Sequence, residues 1–241
     1  MKDLHILEFH EDIVARYIFA TKICPQLKRY GYKNIALEGF IVGDTIENHK
    51  SAALAEVEET KKMLRDLDLE ELTAPWFASV QFNNFTFQSN LLKEIPIALL
   101  DALLKNPTIQ QHMAADTVPT LSTYIVDSLI NLSIFNLLTH LQTLDFELFP
   151  LDDPESCDSL RRQAAEIPIG ALSDKTINQK KQERESCFNK VYHQIKHDNG
   201  EPVIILTGAN HYKAIQSPNI KRLFITACPA HLPKELSFTM P

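Results

Sequence analysis

Short apolar runs alternate with longer stretches of helical spacing at both ends of the chain. "LHILEF" (4–9), "NIALEGF" (34–40) and "VIILT" (203–207) are apolar and β-leaning, a pattern typical of buried strands. Between the first two runs, "EDIVARYIFATKICPQLKRY" (11–30) has helical spacing, and Gly31 provides a helix stop. Strand, helix and strand form a βαβ unit, so we expect two parallel strands joined by a right-handed crossover.

A second unit of the same kind is predicted near the C-terminus. Residues 178–198 read as a helix that stops at Asn199 and Gly200, and the run 203–207 follows as a strand. "HYKAIQS" (211–217) is expected to begin a helix, and "IKRLFITA" (220–227) a closing strand.

The middle of the chain is mostly helical in pattern. The predicted elements are a charged helix over 47–72, helices near 90–105 and 120–141, a strand then a loop over 143–156, and a loop over 164–179. The aromatic stretch 76–88 is predicted to be either an irregular strand or a cover over a cleft. The pattern predicts one α/β domain over 1–241, with a mixed, largely parallel sheet and helices on both faces. Residues 45–175 would form a mostly helical insert or cap between its two ends.

Composition narrows the class of protein. Apolar residues make up 44% and charged residues 23%, as in ordinary soluble domains. The net charge of −7, without a concentrated basic patch, argues against a nucleic-acid partner. The four cysteines lie far apart without a C-x-x-C motif, which predicts reduced thiols and a cytoplasmic protein.

The same sequence predicts neither a signal peptide nor a membrane span. "MKDLHILEFHED" has acidic residues where a signal peptide needs a long apolar core. "YIVDSLINLSIFNLL" (124–138) is short for a bilayer and carries Asp127, so a buried helix is favoured.

Polar, chemically capable residues follow three predicted strands. Glu8 and His10 follow the first strand, Glu38 ends the second, and Asn210 and His211 follow "VIILTG". Because parallel strands present their carboxyl ends at one edge of a sheet, we expect these side chains to converge on a ligand. Two histidines and two carboxylates could hold a divalent metal, or form a general base held by an acid.

The motifs "ILEFHED", "ALEGF" and "RESCFNKVYHQI" leading to "VIILTGANH" carry a family resemblance. Their order resembles the superfamily of erythromycin esterases, ChaN-like haem-binding lipoproteins and TraB/Tiki proteins. That superfamily has a G-E-x-H or G-x-x-H turn, a glutamate ending the next strand, an Arg-led helix and a second G-x-x-H turn. The matching positions here are Glu8 and His10, Glu38, Arg184, and Gly208 with His211.

The resemblance implies a role for each matched residue. His10 would be a general base or metal ligand, Glu38 would orient or activate it, His211 would be the second imidazole, and Glu8 an acidic partner. A bound metal would have His10, Glu38 and His211 as ligands. Arg184 and Asn210 would bind substrate. The alternatives are a Glu38 paired with a helix N-terminus and a solvated Arg184.

Three functions follow as hypotheses, because members of this superfamily differ in chemistry. The first is a hydrolase of the esterase or metal-dependent peptidase kind, acting on a small-molecule or peptide ester or amide through water activated by histidine or metal. The second is a protein that binds haem or another planar ligand, with His10 or His211 as axial ligand. The third is a catalytically inactive scaffold or effector module, which Leu7 favours because it stands where the family has glycine.

Overall fold

The computed structural model describes residues 1–9, 12–41, 43, 45–79, 95–114, 116–152 and 174–226. The chain divides into two compact units. The first, here called the sheet unit, comprises Met1–Glu8, Cys24–Asp44 and Leu141–Phe224. The second, the helical unit, comprises Phe9–Ile23, Thr45–His140 and Ile225–Pro241.

The sheet unit contains a five-stranded sheet whose strand pairs are all parallel. The strands are β1 (Asp3–Glu8), β2 (Asn34–Ile41), β3 (Glu147–Asp152), β4 (Val203–Gly208) and β5 (Ile220–Phe224). Their spatial order is β3-β2-β4-β1-β5. The predicted α/β fold class is therefore confirmed, and β4 lies centrally, with β2 on one side and β1 on the other.

Two helices of the sheet unit connect these strands. They are α2 (Cys24–Arg29) before β2 and α8 (Asp174–Asn199) before β4. Phe188, Tyr192 and Ile195 of α8 pack on the sheet against an apolar group that includes Ala36 and Ile205. Because side chains alternate along a strand, every second residue of each strand shares this face, and α8 can reach any polar group placed there.

The helical unit contains α1 (Ile13–Ile18), a π-helical turn (Phe19–Ile23), α3 (Ile46–Asp66), α4 (Glu70–Ser79), α5 (Ile95–Lys105), α6 (Pro107–His112) and most of α7 (Val118–Thr143). Its core is a continuous apolar cluster with members from α1, α3, α4, α5, α6 and α7. Asp12 caps α1 by accepting from Ala15 N at 2.9 Å, and Thr45 caps α3 by accepting from Asn48 N at 3.1 Å.

Several sequence expectations about the elements are corrected. The helix predicted over 47–72 is broken after Asp66, because Asp68 adopts a φ of +56° and α4 begins anew at Glu70. Residues 76–79, expected as strand or cover, continue α4, and 80–88 lie outside the described residues. The loop predicted over 164–179 is helical from Asp174, since α8 starts there, and 164–173 lie outside the described residues. The helix expected from 211 is only a 3₁₀ turn, Ala209–His211.

One helix among the described residues is long and apolar enough to cross a membrane by length and composition. It is α7, and 61% of its most apolar window is buried within the protein. A buried core helix passes the same test, so the expected lack of a membrane span stays a prediction.

Candidate functional site

The carboxyl edge of the sheet unit carries two buried acids that share one arginine. Glu38 lies near the end of β2, and Asp152 ends the adjacent strand β3. Arg184 of α8 donates to Asp152 twice, from Nε to Oδ1 at 2.7 Å and from Nη2 to Oδ2 at 2.9 Å. Its Nη1 lies 2.7 Å from Glu38 Oε1. The guanidinium therefore bridges two neighbouring strand ends, with the paired geometry that arginine favours on carboxylates.

The backbone around these acids is shaped to meet them. Gly39 has a φ of +86°, and the pairing of β2 with β3 shifts register between Leu37 and Ile41. Gly39 N then donates to Asp152 Oδ2 at 2.5 Å. Glycine adopts this left-handed conformation without a Cβ penalty, which explains the "LEGF" sequence at the strand end.

Glu38 also connects the arginine to the turn after β4. Its Oε2 accepts from Gly208 N at 2.6 Å, and its Oε1 lies 3.5 Å from His211 Nε2. Only 4% of the Glu38 side chain is exposed. A buried carboxylate is costly unless it is paired and hydrogen-bonded, and Glu38 has both kinds of partner.

His211 ends the 3₁₀ turn and is fixed on one side of its ring. Its Nδ1 lies 3.2 Å from Glu185 Oε1, and Phe188 contacts the ring edge-on with centroids 5.3 Å apart. The side chain is 10% exposed. Within the described part of the chain, Nε2 makes no hydrogen bond, and its nearest acid oxygen is that of Glu38. A carboxylate at Nδ1 favours the tautomer with hydrogen on Nδ1, which leaves Nε2 as an acceptor.

His5 lies on the same face of the sheet, and its position inside the first apolar run gave no sign of a site role. It is fully buried, and its Nε2 lies 2.8 Å from Thr207 Oγ1. Burial, with smaller contributions from the charges of Arg222 and His211, lowers the pKa of His5 from 6.5 to about 3, against an opposing effect of Glu38. His5 is therefore a neutral ring in the folded protein at neutral pH.

The remaining predicted site residues are placed differently. Glu8 is buried at the end of β1, where it is paired in register with Gly208. Alternation along β1 directs it to the face opposite that of His5, and its role as an acidic partner stays a prediction. Asn210 is exposed on the 3₁₀ turn. His10 lies outside the described residues, and its predicted proximity to His211 stays a prediction.

The structure adds two acids that the sequence patterns did not indicate. Asp152 follows the run "ELFPL" as Glu38 follows "IAL", so both are acids at the end of an apolar strand. The adjoining "DDP" is typical of a loop, and for that reason the sequence did not indicate Asp152 as a site residue. Glu185 directly follows Arg184, and no local pattern distinguishes it from the other charges of α8. Arg184 is engaged by Asp152 and Glu38, and its expected role in substrate binding stays a prediction.

Potential metal ligands among the described residues include Glu38 and His211. No group of three or more histidine, cysteine or acidic side chains among them is arranged to hold a metal ion. Glu38 and His211 approach each other, but the guanidinium of Arg184 lies against Glu38 Oε1, where a cation would be repelled. The predicted metal site includes His10, which lies outside the described residues, and the predicted haem site has His10 or His211 as axial ligand. Both stay predictions.

Comparison of the chain with family models, curated proteins and solved structures gives no match. The resemblance to the esterase and ChaN-like superfamily consequently rests on the motifs alone.

Proposed function

We propose that the sheet unit is a hydrolase-like domain that cleaves an ester or amide with His211 as the general base. The observation that carries the proposal is the asymmetric setting of the His211 ring. Glu185 Oε1 lies 3.2 Å from Nδ1, while Nε2 makes no hydrogen bond within the described residues. A histidine oriented by a carboxylate at one nitrogen and not hydrogen-bonded at the other can serve as a general base, and here the second nitrogen lies 3.5 Å from Glu38 Oε1.

The neighbouring charges support a proton transfer at Nε2. When Nε2 accepts a proton from water, the ring becomes cationic, and Glu38 Oε1 at 3.5 Å stabilises the new charge. Glu185 stabilises the same charge at Nδ1. The hydroxide formed from that water attacks the carbonyl carbon of the substrate, and the imidazolium then returns its proton to the leaving oxygen or nitrogen. Arg184 holds Glu38 in place, and in this proposal it is a positioning residue.

Hydrolysis of a panel of p-nitrophenyl esters and p-nitroanilides, with acyl chains of increasing length, tests this function. We expect His211→Gln to lower kcat by ~100-fold or more, since general base catalysis is worth ~10²–10⁴ in rate. The matched control is His197→Gln, because His197 lies on α8 with an 84% exposed side chain that pairs with its exposed neighbour Asp198. The control should hydrolyse each probe within about twofold of the natural chain, as expected for an exposed substitution.

The proposal fails if the natural chain hydrolyses no probe above the buffer rate, or if His211→Gln retains full activity. Glu185→Gln adds a second check, because an amide can no longer stabilise the imidazolium by charge. We expect this variant to lose ~10-fold or more in kcat with little change in KM, since the lost charge interaction stabilises the imidazolium only in the transition state.

A second candidate, the non-catalytic scaffold, is favoured by the way the acids are neutralised. Arg184 satisfies Asp152 and Glu38 together, which is also how a purely structural network holds strand ends. Under this alternative, His211→Gln and Glu185→Gln leave every biochemical property except stability unchanged. A partner retained equally by both variants would support the scaffold over the hydrolase.

A further inference from the structure

We infer that His5 and Thr207 are positioning residues that hold the backbone of Gly208 and, through it, the turn bearing His211. This inference rests on the proposed function for the role of His211, but its geometry can be tested independently. Neither residue touches the reacting nitrogen. Both lie on the face of the sheet that α8 covers, His5 on β1 and Thr207 on the adjacent strand β4.

A directional chain of hydrogen bonds carries the inference. Thr207 Oγ1 donates to Gly208 O at 3.3 Å, and His5 Nε2 lies 2.8 Å from the same hydroxyl. A hydroxyl has one hydrogen, so when that hydrogen points at Gly208 O, Nε2 of His5 must be the donor. In this arrangement of the hydroxyl, His5 carries its hydrogen on Nε2.

Side chains thus hold both backbone polar groups of Gly208, which belong to two successive peptide groups. Thr207 engages its carbonyl oxygen, and Glu38 Oε2 accepts from its N–H at 2.6 Å. The 3₁₀ turn begins at the next residue and ends at His211, three positions from Gly208. A change in the backbone dihedral angles of Gly208 would move the imidazole relative to both Glu38 and Glu185.

Packing alone does not explain why a histidine occupies position 5, because this residue carries a cost in stability. Its Nδ1 is buried without a hydrogen-bond partner within the described part of the chain, and such an atom is destabilising. An apolar residue of similar size would fill the same space in β1 without that cost. Among the described residues, His5 makes its hydrogen bond with Thr207, so we infer that its benefit lies in orienting that hydroxyl.

Isosteric substitution at Thr207 tests the inference with two readouts. Thr207→Val keeps the shape and removes the hydroxyl, whereas Thr207→Ser keeps the hydroxyl. The first readout is the amide proton shift and hydrogen exchange of Gly208 by NMR, which needs no substrate. The second is kcat and KM on the best p-nitrophenyl ester.

We expect Thr207→Val to move the Gly208 amide proton upfield and to speed its exchange. It should lower kcat by ~10- to 100-fold with KM nearly unchanged, because a small misplacement of a catalytic group costs that much. Thr207→Ser should recover most of both losses. His5→Gln, whose amide can reach and donate to the hydroxyl, should resemble the natural chain more than His5→Leu does.

Two outcomes overturn the inference. One is a Gly208 amide that does not move in Thr207→Val, and the other is an amide that moves without any change in a His211-dependent kcat. If the amide moves but the natural chain shows no His211-dependent hydrolysis, the positioning is upheld and the hydrolase proposal fails. If Thr207→Val does not fold, His5→Leu against His5→Gln carries the same comparison.

Discussion

Replacing Arg184 by methionine removes the cation that two buried acids share. The side chain donates three hydrogen bonds or ion-pair contacts of 2.7 to 2.9 Å to Asp152 and Glu38. Bonds to charged groups contribute about 1.5–3 kcal/mol each, which sets an upper limit near ~9 kcal/mol. Each acid keeps one backbone N–H donor, from Gly39 or Gly208. We therefore expect a loss of about 4 kcal/mol, within the ~3–5 kcal/mol found when one partner of a buried pair is removed.

Hydrogen exchange of the β2 and β4 amides is the assay of choice, because these strands belong to the unit that holds the network. The single tryptophan, Trp76, lies in the helical unit, so its fluorescence reports the other unit. Lys33→Met is the matched control in the same unit, since Lys33 and Glu201 form an exposed pair at 2.9 Å. That control should cost little stability, because the pair is exposed to solvent. If Arg184→Met costs no more than Lys33→Met, the reasoning about the buried network is wrong.

Three further substitutions have expected outcomes. Burial lowers the pKa of His5 from 6.5 to about 3, so the folded chain binds a proton at His5 only at a lower pH than the unfolded chain does. The contribution of neutral His5 to stability is therefore complete above pH 6.5 and is lost as the pH falls towards 3. Between pH 7.5 and 5 the natural chain should lose about 2 kcal/mol from this residue, and His5→Gln should lack that part of the slope in urea titrations at several pH values. Gly200 has a φ of +64° and no heavy atom within 4 Å of the place a Cβ would take, so Gly200→Ala should cost ~1 kcal/mol from backbone strain alone in chemical denaturation. Thr45→Ala removes the N-cap acceptor of α3 and should cost about 1 kcal/mol, seen as faster exchange of the first-turn amides of α3.

The strands are predictable because their signal is local. The apolar runs at 4–9, 34–40 and 203–207 overlap β1, β2 and β4, which are almost entirely buried. The break in the helix predicted over 47–72 is not predictable in the same way. Asp68 interrupts a continuous pattern of charges, and nothing in "LRDLDLEEL" separates a helix surface from a left-handed turn.

The site is predictable in part. An acid at the end of an apolar strand needs a partner, and this requirement singles out Glu38 without naming the partner. The family resemblance singles out Arg184, but its engagement with Asp152 depends on which way α8 faces the sheet. The pairing of Glu185 with His211 likewise joins residues 26 positions apart through tertiary packing, which no local pattern encodes.

The orientation of the His211 ring is the central claim, and long-range ¹⁵N NMR of the imidazole measures it directly. We predict a ring with hydrogen on Nδ1 and a bare Nε2 in the neutral form, and a loss of that preference in Glu185→Gln. A ring with hydrogen on Nε2, or one with the tautomer mixture of a free histidine in water, would contradict the account.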